Sequence, residues 1–132
     1  MKKKRVLITV LIVVVSLFAV LSIGMYVMTR DLSYIRELEL RGIDLANVDD
    51  GSYTGSFEHN RFTNTLTVRI ENNTIVRIDI DSDVSGAGVL NSSGEVFSKV
   101  IDAQDTKIDA VTGATATTNA YLMAIENALN TD

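Results

Sequence analysis

The spacing of hydrophobic and polar residues changes period along the chain, and each period predicts a different element. From Val6 to Met28 there are 23 residues without a charge, and the apolar ones face every side of the helix they would form. Such a helix is roughly 34 Å long, enough to cross a hydrocarbon core of ~30 Å with slight tilt. A cleaved signal peptide would need a shorter apolar core, about 7–15 residues, and a small-x-small cleavage site. The stretch "SIGMYVMTR" offers no such site, so an uncleaved membrane anchor is expected over residues 1–30. Leu32, Ile35 and Leu38 then recur at helical spacing, with Arg36, Glu37 and Glu39 elsewhere. They predict a juxtamembrane stalk helix over 31–49, broken by Asp49-Asp50-Gly51.

Beyond Gly51 the period falls to two. Ser52–Glu58 is rich in Tyr, Thr and Phe. Thr65–Glu71 alternates, with Leu66, Val68 and Ile70 on one face and Thr65, Thr67 and Arg69 on the other. Thr74–Asp81 alternates too, with Val76, Ile78 and Ile80 against Arg77, Asp79 and Asp81. Alternation of this kind buries one face and wets the other. Asn72-Asn73 tolerates positive φ and suits a tight hairpin, so the three strands form an antiparallel meander. Asp83–Ser93 reads as a loop. A helix should start near Ser92 or Ser93 and run to about Ala103, with Val96, Val100 and Ala103 facing the sheet and Phe97 or Ile101 flanking. A last helix should begin near Thr117 or Thr118 and end near Leu129, its stripe marked by Tyr121, Ile125 and Ala128 and joined by Ala124 and Leu129. The expected fold is α+β over residues 50–132: a small antiparallel sheet packed by two helices, preceded by one N-terminal transmembrane helix.

Charge sets the expected topology. Lys2, Lys3, Lys4 and Arg5 precede the apolar run and should stay in the cytoplasm. Everything after the run holds eight basic residues against seventeen acids, a formal charge of −9. That argues against nucleic acid as a partner, because the phosphates would repel it. The chain has no cysteine, which excludes disulfides, thiolate metal sites and lipid attachment through cysteine. Its single histidine, His59, cannot build a multi-histidine zinc site, and no metal site is expected.

The candidate chemistry lies in "DAVTGATATTNAYLMAIENAL", Asp109 to Leu129. Gly113 permits close approach to the main chain, and Ala114 keeps the place open. Thr115 offers a hydroxyl at the threshold of a helix, where free N–H groups and the macrodipole favour an anion such as phosphate. Asp109 could orient a group or help hold a metal ion during a reaction. No base lies nearby in sequence to activate a nucleophile, so Thr115 suits attachment better than catalysis. On residue types alone the simpler reading is favoured: Thr117 or Thr118 caps the last helix and the small residues pack tightly.

"DAVTGAT" resembles the flavinylation motif of the FMN-binding domain family, Asp-x-x-Ser/Thr-Gly-Ala-Thr/Ser. That family includes the C subunit of the sodium-translocating NADH:quinone reductase and the G subunit of the Rnf complex. "DDGSYTGSFE" is similar to the family's first strand, "TLTVRIENNTIVRIDI" to its hairpin, and the segment from Val96 to Leu129 to its closing part. The likeness covers about Asp50 to Leu129. Two segments depart from the family pattern: "HNRFTN" lacks glycines often seen there, and "DSDVSGAGVLNSSG" lacks a Glu-Thr-Pro stretch. The resemblance implies covalent FMN on Thr115 through a phosphoester, with Asp109, Thr112, Gly113 and Ala114 as the matching motif positions. It also implies an FAD:protein FMN transferase that makes the bond with a divalent metal.

The expected function is then that of a single-pass membrane flavoprotein, its N-terminus cytoplasmic and its C-terminal domain extracytoplasmic. It would take electrons from a membrane oxidoreductase or quinol and pass them to an extracytoplasmic acceptor. It would be a carrier more than a stand-alone enzyme. The alternatives are a sensor module that binds flavin or another phosphate ligand without a covalent bond, and a structural subunit of a membrane complex whose TGAT turn only caps a helix.

Overall fold

The computed structural model describes residues 1–84, 90–108 and 115–130. They form two units, Met1–Tyr34 and Ile35 onwards. The first unit is nearly all of helix α1 (Lys2–Arg36), whose side chains are exposed throughout its apolar run. Among the described residues it is the one helix long and apolar enough to cross a membrane. Its serine and threonine hydroxyls are satisfied within the helix. Thr9, Ser16, Ser22 and Thr29 each donate to the carbonyl four residues back, at 2.7–2.9 Å. That pairing lets them sit in a medium without water to bond them.

The second unit is built on a three-stranded antiparallel sheet, β1 (Gly51–Phe57), β2 (Asn64–Glu71) and β3 (Thr74–Asp83), in the order β1-β2-β3. Asn72 and Asn73 close the β2–β3 hairpin with φ of 52° and 56°, the left-handed pair that a two-residue turn needs. Leu66, Val68 and Ile70 are wholly buried, as their alternation predicts, and Arg69, Arg77 and Asp79 are exposed. Arg69 and Arg77 stand directly opposite each other. Each like charge is offset by the carboxylate two residues on, Glu71 at 2.8 Å and Asp79 at 2.6 Å.

In β3 the strict alternation fails. Ile70 pairs with Ile75 but Arg69 pairs with Arg77, so Val76 is the extra residue of a bulge. The bulge exposes Val76 and buries Ile75 in its place, while Ile78 stays buried and Ile80 is partly covered. A second irregularity falls between Thr65 and Leu66, where β3 carries the extra residue Asp81.

Helix α2 (Leu90–Ala103) starts two to three residues earlier than its sequence predicts and ends where expected. Val96, Phe97 and Val100 are buried, Ile101 packs at the rim and Ala103 is exposed. The helix stops because Gln104 turns to φ 55°. The Gln104 side chain then pins the stop to the sheet, accepting from Ile75 N at 2.7 Å and donating to Ile75 O at 3.0 Å.

Helix α3 (Thr115–Leu129) lies across β1 and β2 and also touches α2. It begins at Thr115, two to three residues before the sequence-based start. Thr117 and Thr118 therefore sit inside its first turn and neither caps it. The predicted stripe of Tyr121, Ala124, Ile125, Ala128 and Leu129 is buried, and so are Ala116, Ala120, Leu122 and Glu126. Burial on so many sides has a cause beyond the sheet. The stalk helix expected to Val48 ends at Arg36, and residues 38–44 run on without helix to a short 3-10 turn at Leu45–Asn47. Leu40, Ile43, Leu45 and Val48 of this strap pack against the core. Helical propensity loses here because tertiary partners take the strap's N–H groups. Gly42 has φ 85°, outside the helical range, and the Glu126 carboxylate accepts from both Arg41 N and Gly42 N.

Candidate functional site

The motif positions Asp109, Thr112, Gly113 and Ala114 lie outside the described residues; Thr115 is described as the first residue of α3. That placement puts Thr115 where the first N–H groups of a helix have no carbonyl partner within it. No acidic residue stands in the first turn of α3, so nothing there opposes a phosphate drawn to the dipole. The first turn of α3 thus offers unpaired N–H groups and no carboxylate, an arrangement compatible with an anion.

The first two turns of α3 are held on three sides. Asn119 Nδ2 donates to the carbonyl of Ile35 at 3.1 Å, and Ile35 is fully buried. Tyr121 OH donates to the Asp83 carboxylate at the end of β3. The Tyr121 ring meets Phe97 of α2 edge to face, centroids 5.5 Å apart. Thr118 is 1% exposed and its hydroxyl has no partner, so its place in the turn is set by packing. Asn64, buried at the start of β2, carries a similarly unpaired Oδ1. An open polar groove of about 650 Å³ lies elsewhere, between Arg41, Asp44, Tyr53 and Asn130 at the C-terminal end of α3.

The sequence model of the FMN-binding domain family matches residues 62–130, more than half of the 132. The chain belongs to the FMN-binding domain family. A comparison with curated proteins gives no match. The family match takes in β2, β3, α2 and α3, so the Thr115 end of α3 lies inside it. It begins after β1, yet β1 is integral to this domain, paired along its length with β2 and packed under α3. Membership makes FMN the cofactor class of the domain, and the apolar helix α1 is compatible with a single-pass anchor.

Two residues that position α3 escape a motif search. Asn119 looks like one more polar residue among threonines. Glu126 does carry a signal, as the sole charged residue of α3. An acid in so apolar a helix is expected to be either exposed or fully bonded. Glu126 is 3% exposed and bonded by Arg41 N, Gly42 N and Thr106 Oγ1.

Proposed function

We propose that this chain is a membrane-anchored extracytoplasmic flavoprotein that carries FMN covalently on Thr115 and relays electrons. The observation that carries this reading is the start of α3 at Thr115, within a domain of the FMN-binding family. In the family's motif the last threonine bears the flavin, and here that threonine opens a helix without acids in its first turn. Asp109, Thr112, Gly113 and Ala114 complete the motif. An FAD:protein FMN transferase is the modifying partner. In that transfer the Thr115 oxygen forms a bond to the FMN phosphorus, the pyrophosphate link of FAD breaks, AMP leaves and the hydroxyl proton passes to solvent.

The protein's own part is position and field. The helix N-terminus lowers the cost of holding the phosphate charge, and the bonds from Asn119 and Tyr121 fix the turn that presents it. FMN, when bound, supplies reversible redox chemistry that the protein lacks. Covalency suits a compartment where a dissociated cofactor would be lost, since a tether keeps the effective concentration high. The donor is a membrane oxidoreductase or quinol and the acceptor lies outside the membrane. The basic block before α1 supports a cytoplasmic N-terminus. The chain is a carrier and works between other proteins' active sites. Co-expression with a flavin transferase tests this reading. Fluorescence should survive a denaturing gel and the flavin mass should map to the peptide containing Thr115; flavin that washes out on denaturation would overturn it.

A further inference from the structure

Asn64 Oδ1 and Thr118 Oγ1 are buried, among the described residues, without a hydrogen-bond partner. Asn64 is 2% exposed and Thr118 1%. The fold brings the two to one place. Asn64 continues the alternation of Leu66, Val68 and Ile70, all buried, so its side chain is on the face that α3 covers. It stands opposite Asp83 in the β2–β3 ladder, and residues directly opposite share a face. The Asp83 carboxylate accepts from Tyr121 OH. Thr118 comes three residues before Tyr121 and is its neighbour on the same side of α3. Both open atoms therefore lie in the layer between the first turns of α3 and the end of the sheet.

Packing alone does not account for them. The period of β2 calls for an apolar residue at position 64, and valine has the shape of threonine at position 118. A buried polar atom without a partner costs its full desolvation, whereas an apolar group of the same shape costs nothing of the kind. The chemistry of the site says what would satisfy it. Asn64 Nδ2 donates to Phe62 O at 3.3 Å, which leaves the amide carbonyl as the open end. An open carbonyl needs a donor, and the hydroxyl beside it can donate and accept. Asp83 adds a carboxylate at the same end of the sheet. Such a set repels a phosphate, which is negative and only accepts, and suits a neutral chain of hydroxyls. FMN carries such a chain, the ribityl, joined directly to its phosphate. Thr115 precedes Thr118 by three residues, a rise of ~4.5 Å along α3.

We infer that Asn64 and Thr118 form a polyol site that binds the ribityl hydroxyls of FMN, Asn64 accepting and Thr118 both donating and accepting. Tyr121 and Asp83 are positioning residues, since their bond holds α3 over this end of the sheet. Neither Asn64 nor Thr118 lies within "DAVTGAT". The choice of the ribityl over the ring rests on the proposed attachment at Thr115; the two open atoms do not. The empty site is a stability cost that the bound cofactor removes.

The test uses the full chain in detergent micelles, made with and without a flavin transferase. In the parent chain, attachment of FMN should raise the urea midpoint of the domain by roughly 0.5 M. Thr118→Val and Asn64→Leu should have midpoints equal to or above the parent before attachment. After it, their rise should be about half the parent's or less, with lower flavin fluorescence anisotropy. Thr118→Ser, which keeps the hydroxyl, should restore both readings. If Asn64→Leu does not fold, Thr118→Val decides. An equal rise and equal anisotropy in parent and variants would overturn the site and leave the two atoms to internal water. Absence of covalent flavin from the parent chain would count against the proposed attachment alone, and free FMN then carries the same comparison. The parent should bind it at least about fivefold more tightly than either variant, and equal affinity would overturn the site. Lumiflavin, the ring without the ribityl chain, should bind parent and variants alike; a loss with lumiflavin would overturn the ribityl in favour of the ring edge.

Discussion

Gly55 in β1 lies so close to α3 that a Cβ placed on it would stand 2.2 Å from the Ala124 carbonyl oxygen and 2.5 Å from Ala128 N. Both neighbours are backbone atoms and cannot rotate away. The helix therefore meets the sheet through a glycine below and a file of alanines above, with Ala120, Ala124 and Ala128 all buried. Gly55→Ala should force the helix off the sheet and cost about 2 kcal/mol or more, read as a lower urea midpoint of the domain. Gly94 is the control. It is exposed within α2 with nothing near a built Cβ, so Gly94→Ala should stabilise by about 0.5–1 kcal/mol through helix propensity.

The bulge in β3 makes neighbouring residues behave oppositely. Ile75 is 1% exposed and Val76 is 42% exposed. Ile75→Ala should cost about 2–5 kcal/mol as a core truncation, whereas Val76→Thr should stay within about 0.5 kcal/mol of the parent. Equal sensitivity at the two positions in chemical denaturation would mean that the strand runs without the bulge.

These two sites show where the sequence was legible. The buried face of β2 follows from period alone, because a single stripe of Leu66, Val68 and Ile70 has one way to be covered, whereas in α3 period gives the stripe of Tyr121 and Ile125 but not the burial of Leu122 or Glu126. Alternation assumes an unbroken ladder and so puts Val76 on the buried face; a bulge shifts the parity and leaves no composition mark here. Leu32, Ile35 and Leu38 predict helix through the strap, a true local preference as far as Arg36. Beyond it, the capture of backbone N–H groups by Glu126 and Asp105 decides the conformation, and those partners are 62–85 residues away in sequence. The motif is legible as a flavin site only through its resemblance to the family pattern, since on residue types alone Thr-Gly-Ala-Thr before a helix reads as a cap and tight packing. Asp109 to Ala114 lie outside the described residues, so their geometry adds nothing to that reading.

Glu126 should be costly to remove. Its carboxylate collects Arg41 N, Gly42 N and the Thr106 hydroxyl, the last at 2.5 Å. Glu126→Ala leaves those donors without their acceptor and should cost about 2–4 kcal/mol. Thr106→Val removes one donor and should cost less. The two changes share a partner, so a double-mutant cycle in urea should show coupling of at least about 0.5 kcal/mol. Strict additivity would mean that the carboxylate does not hold both the strap and the 105–107 turn.

Topology has a direct check. The basic block at Lys2–Arg5 predicts, by the positive-inside rule, that everything after Arg30 lies outside the cytoplasmic membrane. Protease added to intact spheroplasts should remove the folded domain and leave α1 behind. Protection until the membrane is broken would reverse the orientation.

The threonines at the start of α3 separate attachment from packing. Thr115 opens the helix, Thr117 is half-buried and Thr118 is buried with an unpartnered hydroxyl. Thr115→Ala should give a folded protein without covalent flavin, because only the attachment oxygen is lost. Thr115→Ser keeps that oxygen and should still be modified. Thr118→Val replaces an orphaned hydroxyl by a methyl of the same shape, so before flavin is attached it should be neutral or stabilising by up to about 1 kcal/mol, with covalent attachment retained. Thr117→Ala should also retain flavin, and with α3 already begun at Thr115 it should cost no capping energy. Asp109→Ala should lower the yield of modification without unfolding the domain, if the transferase or its metal reads that carboxylate. Each variant is co-expressed with a flavin transferase and read by in-gel fluorescence, peptide mass mapping and a urea melt. Flavin mapped to Thr117 or Thr118, or covalent flavin on Thr115→Ala, would overturn Thr115 as the attachment point.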